Sequence, residues 1–191
     1  RRIQKQAGVT ALYVTHDQSE ALAMCDRIVV LDRGRIEQID TPTRIYDRPQ
    51  TPFVGWFIGK ASFLRGRLAG ITGDGSDRFA SVTLGPAEYT VQAHLGAGEL
   101  RVGDTVLVLV RPEDVAVHAV DGTSIGATVR ESSYFGDHYY CVAEFDGMKL
   151  GFMNDRKHSY GIGSRVGLTI RHDSTICFPL DAEAEARLDH V

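Results

Sequence analysis

The chain has 191 residues, 43% of them hydrophobic, and a formal net charge of −4. That length suits one large domain or two small ones, and the apolar content supports a packed core and excludes global disorder. The acidic balance argues against a nucleic-acid binder that relies on bulk electrostatics, leaving room only for a local basic patch. Cys25, Cys141 and Cys177 are an odd set with no CxxC pair. This disfavours a disulfide scaffold or a zinc site and fits a reducing cytoplasm. No apolar run approaches the length of a membrane span, and nothing at the start reads as a signal peptide, so a membrane role would run through partners.

Residues 1–7 (RRIQKQA) are basic and helix-compatible, with Gly8 as a C-cap. Arg1 is read as an internal position of a longer parent. Ala11-Leu12-Tyr13-Val14 has the short, apolar, partly β-branched character of a buried strand. Thr15 or Asp17 can cap the helix that follows, because Gln18 and Glu20 stand three residues on at capping-box spacing. The acidic residues also suit the positive end of its dipole. That helix carries apolar Ala21, Leu22, Met24 and Cys25. A second apolar run, Ile28-Val29-Val30-Leu31, leads to a turn at Asp32-Arg33-Gly34, where Gly34 supplies positive φ. A third strand covers 35–39. His16 therefore stands where a strand ends and a helix begins, the place where ligands bind in open α/β sheets.

Thr41-Pro42 and Thr51-Pro52 each read as an N-cap followed by proline at the first helical position. The first should start a helix over 43–46, which Arg48-Pro49 breaks. The second should start a helix with Phe53, Val54, Trp56, Phe57 and Ile58 at helical spacing, capped by Gly59. This aromatic stripe is expected to be a packing seam between two domains.

From Ser62 onward, strand-like runs alternate with Gly and Asp turns. Strands are expected over 62–68, 79–84, 88–93, 105–110, 115–118, 127–131, 139–145, 148–153, 165–170 and 175–178, with a flexible turn at 70–77. Many short strands with regular turn signals indicate an all-β barrel or sandwich. Asp146-Gly147 is a strong hairpin signal. Arg111-Pro112-Glu113-Asp114 reads as a structural corner, with Arg111 pairing to Glu113 or Asp114. Residues 181–191 read as a short exposed helix or a frayed end.

The stretch VTHDQSEALAMCDRIVVLDRGRIEQIDTPTRIYDRP resembles the end of the ATP-binding cassette of bacterial ABC importers, of the maltose, polyamine and ferric-iron type. Val110-Arg111-Pro112-Glu113-Asp114, followed by a glycine-punctuated β region, resembles the TOBE domain, a small OB-like barrel appended to such ATPases. The two occur in the order the family requires and together cover almost the whole chain. The resemblance implies an α/β fragment, the end of a P-loop ATPase domain, over 1–60. An all-β OB-like TOBE barrel would follow over 61–180, then the tail. It implies that His16 is the switch histidine, both catalytic and in contact with ATP. An imidazole suits that role, since it can donate to a terminal phosphate oxygen and help hold the attacking water.

Further implications follow from the same resemblance. ATP and Mg²⁺ would serve the full-length parent, with none expected for this chain alone. Partners would be a second ATPase subunit, forming a homodimer, and transmembrane permease subunits, with no nucleic acid. The location would be cytoplasmic, peripheral on the inner face of the cell membrane. The TOBE region would mediate contacts between ATPase subunits and could serve regulation. Ferric iron, polyamines and sugars are all open as the solute, with a lean toward the iron or polyamine branch.

The phosphate-cradling GxxxxGK[ST] loop is missing. Gly55-Trp56-Phe57-Ile58-Gly59-Lys60-Ala61-Ser62 is one residue short, places Ala61 where a Ser or Thr is needed, and is bulky inside. Ile28 to Asp32 lacks the Glu that should follow a magnesium-holding Asp. No LSGGQ-like signature is present, so the chain should not hydrolyse ATP alone. His94, His118, His138, His158, His172 and His190 show no metal-ligand spacing, and no metal site is expected. Asp137-His138 and His172-Asp173 would point to opposite faces if they lay on strands. Arg156-Lys157-His158 reads as a solvated turn. An alternative reading is a stand-alone OB-like module for an oligonucleotide or small anion, with Tyr134-Phe135 and Tyr139-Tyr140 as stacking faces. A third is a purely structural dimerisation module. A strand taken from a larger sheet leaves unpaired edges, which predicts a dimer or swapped contact through 1–40.

Overall fold

The computed structural model describes residues 2–73, 78–172, 175–181 and 185. The chain divides into two compact units, Arg1–Gly59 and Lys60–Val191.

In the first unit, α1 (Arg2–Ala7) ends at Gly8, whose φ of 65° and N–H bond to the Gln4 carbonyl make it the expected cap. α2 (Gln18–Met24) is capped by Asp17, whose carboxylate accepts the Glu20 N–H at 3.0 Å. Thr15, the other candidate cap, braces the bend before the helix instead, its hydroxyl accepting the Asp17 N–H at 2.9 Å. β1 (Ile28–Asp32) and β2 (Arg35–Asp40) form an antiparallel hairpin. Its turn residues Arg33 and Gly34 have φ of 47° and 80°, the pair of positive values that matches strand twist. α3 (Pro42–Asp47) and α4 (Pro52–Phe57) are capped by the hydroxyls of Thr41 and Thr51, each with proline first.

Ile28, Val30, Ile45, Phe53, Val54 and Ile58 make this unit's core. The aromatic stripe expected as an inter-domain seam thus serves the first unit's own interior. Phe53 and Phe57 stack with centroids 5.5 Å apart, while Trp56 stays 44% exposed.

The strand expected over 11–14 does not form. Leu12 and Val14 are 92% and 89% exposed, and no strand among the described residues pairs with them. A strand gets its hydrogen bonds only from a neighbour, so apolar sequence without a partner stays irregular. The sheet of this unit is therefore a lone antiparallel hairpin rather than an open α/β sheet. The end of a strand, where His16 was expected, is here a bend leading into α2.

The second unit contains all ten expected strands. They are β3 (Ser62–Thr72), β4 (Phe79–Leu84), β5 (Tyr89–Leu95), β6 (Thr105–Val110), β7 (Val115–His118), β8 (Ile125–Tyr134), β9 (His138–Phe145), β10 (Met148–Asp155), β11 (Arg165–Ile170) and β12 (Ile176–Pro179). They build two systems of five. β12-β5-β4-β3-β6 closes into an OB-like barrel, and β10-β9-β8-β11-β7 forms a second sheet. The second sheet is inserted between β6 and β12, which pair antiparallel with Ile176 opposite Leu109.

One apolar cluster runs through both systems, from Leu64, Val82 and Val108 to Val129, Phe152 and Leu168. β6 is buried on both faces. Val106, Val108 and Val110 join that cluster, while Leu107 and Leu109 pack with Ile176 and Phe178. The β9–β10 turn has Asp146 at φ 47° and Gly147 at 75°, as the Asp-Gly signal predicts. The expected turn at 70–77 starts later, because β3 runs to Thr72, and 74–77 lie outside the described residues. So does nearly all of the tail; of it, Glu185 accepts from Arg65 at 2.7 Å. Pro112–Asp114 is a single 3-10 turn after β6, the expected corner.

Candidate functional site

His16 is exposed at the bend that precedes the cap of α2. Its neighbours fix the bend by local hydrogen bonds. The Thr15 hydroxyl accepts from the Asp17 N–H and lies 3.3 Å from the Glu20 carboxylate, to which it donates. The Tyr13 hydroxyl donates to the same carboxylate at 2.8 Å. The Glu20 negative charge pushes the Tyr13 hydroxyl pKa above its ordinary value, chiefly through that bond. Glu20 thereby ties the extended segment to the first turn of α2, and His16 occupies the solvent side of the loop between them. An imidazole held there can donate a ring N–H to an incoming anionic oxygen.

A longer tie seats α2 itself. The Gln18 side-chain oxygen accepts the Gly59 N–H at 2.8 Å, across 41 residues of sequence. Sequence spacing gave Gln18 only a role in capping. Nothing local signals its bond to Gly59, because the two meet only once α4 has packed.

Neither the phosphate-loop look-alike nor the magnesium-site look-alike has the geometry of one. Gly55 is buried inside α4. The Lys60 ammonium rests over two rings, 3.7 Å from the Tyr140 centroid and 4.4 Å from that of Phe135. Asp32 ends β1 opposite Arg35 at the hairpin turn. The Lys60 contact also bears on the stacking-face reading, since the protein's own cation takes a face of Phe135 and of Tyr140. Tyr134 instead packs on its cross-strand partner Tyr139, with centroids 5.0 Å apart.

His94, His118, His138 and His158 have separate local contacts. The His94 ring lies 4.4 Å from that of Phe79, and His118 Nε2 is 2.9 Å from the Thr169 hydroxyl. His158 sits in an exposed turn built on the Asp155 carboxylate, which accepts the Lys157 and His158 N–H groups. Asp137 and His138 do not point apart: His138 Nδ1 is 2.6 Å from Asp137 Oδ1. The two-residue alternation fails there because Asp137 lies in the loop before β9 rather than on a strand. Asp173 and His190 fall outside the described residues. Arg111 is 1% exposed and donates to the Lys60 carbonyl at 3.0 Å.

Residues 108–178 match the family described as TOBE domain, a span that begins in β6 and ends in β12. Spermidine/putrescine import ATP-binding protein PotA of Oleidesulfovibrio alaskensis is 35% identical over 185 residues, covering 88% of this chain and 48% of that protein. The protein of the same description from Frankia alni is 38% identical over 158 residues, 78% of this chain and 34% of that one. The one from Thermobifida fusca is 40% identical over 146 residues, 73% and 36%. The chain thus spans half or less of the length of these relatives. Among solved structures, the cytoplasmic molybdate-binding protein ModG superposes with a TM-score of 0.53 at 12% identity, over 62% of this chain and 95% of that one. At that identity the likeness concerns the fold alone. The resemblance to importer ATP-binding subunits read from the sequence is borne out by these relatives and by the TOBE match.

Proposed function

We propose that this chain is the C-terminal part of the ATP-binding subunit of a bacterial ABC importer. Residues 1–60 are the end of its nucleotide-binding domain and 61–180 its regulatory and dimerisation region. One observation carries the reading: the match to an import ATP-binding protein extends over 185 residues, more than the second unit alone contains. That match therefore takes in at least part of the first unit together with the β region.

In this reading ATP and Mg²⁺ are held mainly by parts of the complete subunit outside 1–60, and each ATP is closed between two subunits. His16 donates to the terminal phosphate and orients the attacking water. That role suits phosphoryl transfer, in which positioning and charge stabilisation supply most of the catalysis. An exposed imidazole on a bend braced by Thr15, Asp17 and Glu20 fits it. Coupling to uptake runs through permease partners at the inner face of the membrane; among the described residues no helix is long and apolar enough to cross one. The relatives' descriptions favour a polyamine as the solute over iron or sugar.

The test is His16→Ala in the complete subunit assembled with its permease. Hydrolysis should fall roughly a hundredfold, the usual cost of removing one transition-state donor, with ATP affinity changed by less than about threefold. Unchanged turnover would refute the assignment of His16.

A further inference from the structure

α2 is held lightly for an element that positions a reactive side chain. None of its residues is fully buried, and it leans on the first unit's core through partly buried Ala21 and Leu22. Its first residue, Gln18, reaches across to Gly59. Gly59 follows the last turn of α4 with φ at 76°, where a helix end commonly turns its next N–H back onto its own carbonyls. Here the Gly59 N–H is instead taken by the Gln18 side chain at 2.8 Å, in a part-buried setting. The residue two before Gln18 is His16, and Asp17 between them is the cap. The seat of Gln18 thus sets the position and direction of the His16 bend.

Gly59 is also the last residue of the first unit, and the next residue is anchored within the second. The Lys60 carbonyl accepts from buried Arg111, and its ammonium lies on Tyr140 and Phe135. The main chain therefore passes directly from the Gln18 bond into the β unit.

We infer that Gln18 is a positioning residue for His16. Its bond to Gly59 holds the His16 bend in register for phosphate contact. The inference rests on the ATPase reading of His16 given above. Gln18 itself touches no substrate.

The experiment compares Gln18→Leu, Gln18→Glu and His16→Ala in the complete subunit with its permease, measuring kcat, KM for ATP and thermal unfolding. Leucine fills the space but cannot accept the Gly59 N–H, whereas glutamate still can. Gln18→Leu should lower kcat by about fivefold or more, the scale of one lost hydrogen bond, with KM within about twofold. Gln18→Glu should restore most of the loss. If His16→Ala is inactive while Gln18→Leu keeps full kcat, this inference fails and the ATPase reading stands. If Gln18→Leu lowers only the melting temperature, or if Gln18→Glu is as impaired as the leucine variant, Gln18 is structural and the inference fails. If His16→Ala turns over normally, the ATPase reading fails and takes the inference with it.

Discussion

At position 121 a carboxylate on an exposed turn accepts from the Thr123 N–H and hydroxyl, both at 2.9 Å, and from the Ser124 N–H at 2.8 Å. These bonds favour the charged form and hold the Asp121 pKa at about 2. The folded value lies below the unfolded one of about 3.9, so folding favours the ionised group. Its contribution to stability is complete above about pH 4 and is lost as pH falls through about 2. An NMR titration of the Asp121 carboxyl should therefore have its midpoint near 2; a midpoint near the ordinary value would show that the turn bonds do not persist in solution. At this scale the sequence was partly legible. Asp17, Thr41 and Thr51 announced themselves as caps because a cap is a bond over three residues. Arg111 did not reveal its bond to the Lys60 carbonyl, which lies 51 residues back and exists only when β3 and β6 are paired.

Elements were legible where their stabilising contacts are local. Gly34 and the Asp146-Gly147 turn have the positive φ values their sequences call for, and the strands around them follow. Residues 11–14 have strand composition and form none, because a strand also needs a neighbour, which composition cannot supply. The edge of the second sheet shows the opposite case. β10 lies at that edge, and its Gly151 N–H is satisfied by the buried Ser62 hydroxyl at the start of β3, at 2.8 Å. Ser62→Ala would leave that N–H buried without an acceptor, which costs about 2 kcal/mol. Urea unfolding of the variant should show a lowered midpoint at unchanged slope. A stability within about 0.5 kcal/mol of the parent would mean that the Ser62–Gly151 bond does not tie the barrel to the sheet.

The whole molecule was legible as an order of regions rather than as a topology. A mixed helix-and-hairpin unit precedes a β unit, as the motif order implies. What the run of short strands could not show is that five of them, β7 to β11, form a sheet inserted between two barrel strands. Closing the barrel brings Leu109 against Ile176, a contact invisible to periodicity because it depends on everything folded between them. The same limit applies to function. The His16 segment was recognisable by pattern, while the Gln18–Gly59 bond that seats it was not.

If this chain completes an ATP-binding subunit, the phosphate-holding parts of that subunit lie upstream of Arg1. Sequencing the coding DNA that precedes the Arg1 codon examines this without any assay of activity. An open frame should encode GxxxxGK[ST], an LSGGQ-like segment and an apolar run ending in Asp-Glu, joined without interruption to Arg1. A start codon at that position, with none of these motifs upstream in frame, would contradict the ATPase reading and leave the β unit as the functional part.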